Sequence, residues 1–313
     1  MLEAKINEYK ERVQKFAEDV KEKHGDEILE YYKKVFTLVS TNFTIQEIYE
    51  KQIEEAIKEN NFAKLKSVFY HIAKAKLLPC LSSGYDHCFQ LWPLLDLLAC
   101  AQFDQIYRIL PDDLPLSTNG YGMYVNGINV LLCLLYNQDG AERYSEDKVK
   151  AKAEKFVTSK KPIWERAVVS CLLALLDHDV ARFSDSLQTV CESYNKMSII
   201  KYKKMQCQNA YGLLILARNI FSEEEFAKVT LPEYKNFSKG YIKWLFSQEE
   251  LSDELCVTYD GTLEEIGAFL KKPTAITRIH QPYLDADDSY LSAAEKKAWH
   301  MDIDGMLKEF IEG

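Results

Sequence analysis

The stretch from Trp164 to Lys196, WERAVVSCLLALLDHDVARFSDSLQTVCESYNK, constrains the fold of this chain more than any other. Trp164, Val168, Cys171, Leu172 and Leu175 fall at i, i+4, i+7, i+8 and i+11, and Phe183, Leu187, Val190, Cys191 and Tyr194 repeat those offsets. Helical periodicity puts each set on one face, and each face needs a partner to cover it. The polar residues Asp177, His178 and Asp179 separate the two stripes, a length that suits a tight antiparallel connection. An aspartate there caps the free N–H groups of the second helix and favours its positive end. Read as chemistry, the three residues would be metal ligands or an acid–base pair, but aspartates are ordinary turn residues. The spacing predicts a helical hairpin.

The same unit recurs. Ala56, Asn60, Asn61, Phe62, Ala63, Lys64 and Leu65 align with Ala174, His178, Asp179, Val180, Ala181, Arg182 and Phe183. Leu98, Ala101, Gln102, Phe103 and Ile106 occupy corresponding places, and fainter copies lie in LCLLYNQDGAERY and LLILARNIFSEEEFAKV. The anchors Phe62, Phe103, Val180 and Ile220 are about 41, 77 and 40 residues apart, a spacing that helical-hairpin repeats produce. It is longer than a standard tetratricopeptide unit, and that unit's fixed pattern is absent. The expected fold is therefore all-α, with antiparallel hairpins in a degenerate tetratricopeptide-like array. It would form one elongated domain over 1–313, divisible into an N-terminal helical part (1–120) and a C-terminal helical-repeat part (121–313). LCVTYDG, around Cys256, is the only short strand candidate.

At 313 residues the chain can bury a large core, and its 47% hydrophobic and 28% charged content is ordinary for a globular protein. The opening MLEAKINEYKERVQKF reads as a charged helix rather than a secretory leader, and INVLLCLLY is too short to span a bilayer. No membrane partner and a cytoplasmic address are expected. The eight cysteines form no CxxC pair; Cys133, Cys171 and Cys191 lie on apolar faces, where a reduced thiol is a small core residue. A net charge of −9 and a pI near 5.4 argue against nucleic acid as a partner. The acidity serves solubility, and it would also steer a basic protein partner.

Four stretches invite a chemical reading. His71, Cys80, His87 and Cys88 are possible zinc ligands, but they lack the paired spacing by which one turn presents two ligands. DADDSYLSAAEK, from Asp285, begins like a calcium loop, yet has Tyr290 where glycine belongs and Lys296 where a glutamate belongs. Ser292 and Glu295 read better as a capping box, as do Thr44/Glu47, Ser222/Glu225, Ser247/Glu250 and Thr262/Glu265. Gly120, Gly122 and Gly127 follow a loop and lack the P-loop lysine, so they predict close packing at a helix entry. No motif of a hydrolase, metalloprotease or kinase occurs. Neither catalytic residues nor a metal or cofactor is expected.

The Trp164–Lys196 hairpin, continued by QNAYGLLILARN, resembles bacterial immunity proteins of polymorphic toxin systems, most closely the immunity protein 49 family. The resemblance covers roughly residues 160 to 245, and nothing after about Pro273 takes part. It implies an all-helical, non-enzymatic inhibitor that binds a cognate protein toxin and protects the producing cell and its kin. The matching positions are core ones, so the resemblance transfers no toxin-binding residues. Tyr283 with Asp285, Asp287 and Asp288 is the candidate contact patch for a basic toxin; the plainer reading is a solvated loop before a helix. The competing class is a helical scaffold or adaptor that holds a peptide or protein partner.

Overall fold

Local capping chemistry sets many of the helix boundaries in the computed structural model, which describes residues 2–81, 84–137, 143–285 and 290–313. Four helices come first: α1 (Leu2–His24), α2 (Ile28–Thr41), α3 (Phe43–Glu59) and α4 (Phe62–Lys76). The α1 helix packs on α2 and α3, and α4 closes against both. Between α3 and α4, Asn60 takes a left-handed φ of 52°, and the Asn61 side chain accepts from the Lys64 N–H at 3.0 Å. The Asn61 N–H returns to the Ala56 carbonyl at 2.8 Å.

The middle of the chain holds α5 (Leu91–Leu98), α6 (Ile106–Ile109), α7 (Gly122–Tyr136), α8 (Glu146–Val157), α9 (Ile163–Leu176) and α10 (Val180–Tyr194). The hairpin read from Asp177, His178 and Asp179 is the α9–α10 pair. His178 has φ 53°, Asp179 caps Arg182 N–H at 2.9 Å, and Asp179 N–H reaches the Ala174 carbonyl at 2.8 Å. This is the Asn60–Asn61 junction again, bond for bond. Ala101 (φ 62°) is the third non-glycine residue with positive φ among those described. There the chain enters a 3₁₀ turn, Phe103–Gln105, and only the four-residue α6 follows. The left-handed residue is shared; the side-chain cap and the full second helix are not.

Both faces of the α9–α10 hairpin are covered. Leu172, Leu175, Phe183, Leu187 and Val190 are buried, with Phe183 set edge-on against Phe221 at 5.6 Å. Phe183→Ala is expected to destabilise the protein by about 3–5 kcal/mol in urea denaturation, since nothing nearby can fill the space of a fully buried ring. At α7, a Cβ on Gly127 would lie 2.6 Å from Leu91 Cδ2, and one on Gly120 would overlap Cys88 Sγ. The glycines serve close packing.

The remaining elements are α11 (Lys201–Met205), α12 (Gln208–Ile220), α13 (Glu223–Phe226), α14 (Lys239–Ser247), α15 (Glu264–Lys271), α16 (Ala293–Lys296) and α17 (Ile303–Glu312). The α12 helix lies chiefly against α5, and a Cβ on Gly212 would overlap the Leu95 carbonyl, 2.8 Å from its carbon. Chain beyond α14 then folds back over the first four helices, α15 onto α4 and α17 onto α2. Tyr259 meets Tyr9, hydroxyl to hydroxyl, at 2.9 Å. Described cysteines are all free thiols, seven buried and Cys256 partly so. Among the described residues no helix is long and apolar enough to cross a membrane.

Several local expectations need correction. LCVTYDG is not a strand: the Cys256 carbonyl accepts from the Gln52 side chain rather than from a neighbouring strand. The short antiparallel pair is β1 (Ile279–His280) with β2 (His300–Met301). Capping boxes form at Ser222/Glu225 and Ser292/Glu295. At Thr44 the cap is Asn42, two residues earlier, so Thr44 lies inside α3. Ser247 ends α14 instead of starting a helix. Thr262 lies within a 3₁₀ turn, and Glu265 accepts from the Tyr32 hydroxyl at 2.5 Å.

Candidate functional site: an aromatic cleft over a lysine pair

The helix FQLWPLLDLL carries the anomaly on which the site is built. Pro93 sits in its first turn, where the missing N–H is no loss. Trp92 and Asp96 follow at i and i+4 and therefore share a face. Asp96 is 1% exposed in an otherwise apolar helix, so its charge must be met from elsewhere. Lys76, the last residue of α4, places Nζ 2.6 Å from Asp96 Oδ2, and Asn209 on α12 donates to Oδ1 at 3.3 Å. Lys203 on α11 comes within 3.8 Å of the same Oδ2 and lies 4.5 Å from the centre of the Trp92 ring. Two lysines thus face one carboxylate.

Aromatic rings build the walls. Trp92 stacks with Tyr194 (6.1 Å, 18°) and meets Trp164 edge-on at 5.4 Å. Tyr124 joins Trp92 at 6.5 Å, Phe89 at 6.0 Å and Tyr121 at 6.2 Å. The cleft, open to the surface, measures about 560 Å³ and also takes in Met197 and Ile199 from the segment after α10. Burial works against the Lys76 ammonium, but Asp96 outweighs it and holds its pKa above the ordinary lysine value. Lys203 is pulled well below that value, first by burial and then by the Lys76 cation. Lys203 Nζ stands 3.8 Å from Asp96 Oδ2, an ion-pair contact beyond hydrogen-bonding distance. The floor of the cleft holds one closed ion pair and one lysine with donors to spare.

A second cluster pairs a thiol with an imidazole. His71 Nδ1 lies 3.2 Å from Cys256 Sγ, and Nε2 lies 3.0 Å from the Tyr259 hydroxyl, which continues to Tyr9. Burial pulls His71 down to about 3 and pushes the Cys256 thiol up. Both are held neutral, the opposite of the thiolate–imidazolium pair that nucleophilic cysteines need. This chain of bonds joins α1, α4 and the C-terminal segment, and its role is structural.

The other residues singled out in the sequence are dispersed. Cys80 lies 3.7 Å from the Ser40 hydroxyl, Cys88 donates to the Asn119 carbonyl, and His87 is buried with no hydrogen-bond partner among the described residues. No group of three or more His, Cys, Asp or Glu side chains converges as a metal site would among the described residues. Tyr283 is 42% exposed and meets the His300 ring edge-on at 5.5 Å; Asp285 is exposed. Asp287 and Asp288 lie outside the described residues. The cleft escaped the sequence reading because α4, α5, α7, α9 and α11 each bring only one or two of its side chains. Its one legible signal was Asp96, a carboxylate within LWPLLDLLAC. No protein family, curated protein or solved structure matches the chain.

Proposed function

We propose that this protein is a non-enzymatic inhibitor that binds a cognate bacterial protein toxin and occludes it. The observation that supports this most is the unbroken run of rings leading from the surface into the cleft. It starts at Tyr121, 65% exposed, and passes through Tyr124 to Trp92 and Trp164. Tyrosine and tryptophan are the residues that anchor protein interfaces, because they bury much area at little conformational cost. The charge of −9 would speed encounter with a basic toxin, and Asp285, Asp287 and Asp288 remain the acidic patch proposed to help choose it. The choice of a toxin, rather than any other protein, comes from the resemblance over the α9–α10 hairpin. A helical adaptor that holds a peptide is the second reading, and the same ring surface would serve it.

Co-expression with the toxin encoded beside this gene, followed by pull-down and calorimetry, tests the proposal. Wild type is expected to bind, and Tyr121→Ala or Trp164→Ala to weaken binding by roughly 2–4 kcal/mol each, as interface anchors do. Lysine at positions 285, 287 and 288 together should slow association and leave the fold intact. Failure of the neighbouring toxin to bind wild type would replace the inhibitor reading by the adaptor one.

A further inference from the structure

We infer that the Trp92–Trp164 cleft binds a small aromatic monocarboxylate, with its ring among the aromatic walls and its carboxylate against Lys203. The inference goes beyond the toxin reading and does not depend on it.

Size, charge and hydrogen bonding each point this way. A cleft of about 560 Å³ falls within the range of small-molecule sites and suits one or two rings. Its walls are the indoles of Trp92 and Trp164 with Tyr124 and Phe89, surfaces on which a flat apolar body packs edge-on or offset. At the floor, Asp96 is hydrogen-bonded to Lys76 at 2.6 Å, which leaves the second lysine at 3.8 Å, too far for a hydrogen bond of its own. Lys203 can take up one proton and no more, so the cleft can answer a single negative charge, that of a carboxylate and not of a phosphate dianion or a polyanion. The groups short of partners are donors: Lys203 Nζ stands beyond hydrogen-bonding distance of Asp96 Oδ2, and among the described residues the buried Trp92 indole N–H has no acceptor. A carboxylate offers acceptors only, and to an ammonium it makes the stronger, charge-assisted kind of bond.

Protonation provides an independent readout. The titratable groups around Lys203 are Lys76 on α4, Asp96 on α5, Tyr124 on α7, Tyr194 on α10, Tyr202 on α11 and Cys207 before α12. Burial raises the tyrosines and the thiol, so they stay neutral, and Asp96 holds Lys76 protonated. Lys203 is the group left to respond. An anion beside it restores the charged form, and the ligand therefore enters together with a proton.

Titration of the full chain with 1-naphthylacetate tests this, with the uncharged 2-(1-naphthyl)ethanol as isostere and calorimetry in buffers of different ionisation enthalpy. The carboxylate is expected to bind about tenfold or more tighter than the alcohol, as a charged hydrogen bond implies. Its binding should be accompanied by proton uptake within the range from about pH 7 to 10, below the ordinary lysine value. Lys203→Met should remove both the preference and the proton uptake while still binding the alcohol, which shows that the cleft remains folded. Equal affinity for the two compounds, uptake of no proton, or a preference that survives in Lys203→Met would each overturn the assignment. So would failure of both compounds to bind the wild-type chain. None of these outcomes bears on the toxin pull-down.

Discussion

Gly212→Ala is expected to destabilise the protein by more than about 3 kcal/mol, at the upper end of what overpacking costs. In an exposed helix the same change would gain about 1 kcal/mol from helix propensity. Here the added carbon meets main chain, the carbonyl of Leu95, which has no rotamer by which to move aside. The α5 and α12 axes must separate, and with them the Asn209–Asp96 contact at the floor of the cleft. Urea denaturation with both variants, Gly212→Ala and Gly212→Val, checks this. A midpoint unchanged in the alanine variant would mean that the helices do not cross so closely.

Acid is expected to act through His71. Its ordinary pKa is 6.5 and its folded value is about 3. Above pH 6.5 neither state binds the proton, and the group contributes nothing to the pH dependence. Between 6.5 and 3 the unfolded chain takes up a proton that the folded chain refuses. Stability therefore falls as pH falls through this window, by up to about 1.4 kcal/mol per unit. His87, also pulled down by burial, adds to the same slope. The difference between wild type and His71→Gln isolates one residue: the variant starts less stable and loses stability less steeply below pH 6.5. Parallel curves would show that His71 is protonated in the folded protein.

What could be read from the sequence was what neighbouring residues decide among themselves. Asn61 and Asp179 mark their turns because a short side chain one residue before a helix can reach its free N–H groups. The stripes of α9 and α10 are legible for the same reason, since one helix sets its own faces. Capping boxes were less reliable: a chain rich in glutamate meets the Ser/Thr-x-x-Glu spacing inside helices, as at Thr44, and at their ends, as at Ser247. The cleft depends on where five helices cross, and periodicity carries no information about that. Asp96 is its one local trace, a carboxylate on an apolar face that was passed over and that does not say which cation answers it. The Cys256–His71 contact, 185 residues apart, had no local sign at all.

The backward fold of the C-terminal segment has a consequence for synthesis. Tyr9 leaves the ribosome 250 residues ahead of Tyr259, the hydroxyl it bonds to. Tyr32 waits for Glu265, and Phe36 for Phe269 and Phe310. At about 5–20 residues per second, translation leaves Tyr9 without its partner for roughly 10 to 50 seconds. Through that interval the rings on α1 and α2 present a greasy, half-made surface, long enough for a nascent chain to meet its neighbours on a polysome. Pairings so distant in sequence are also slow to close once the whole chain is free. The N-terminal helices are made first and completed last, and α17 is the clasp.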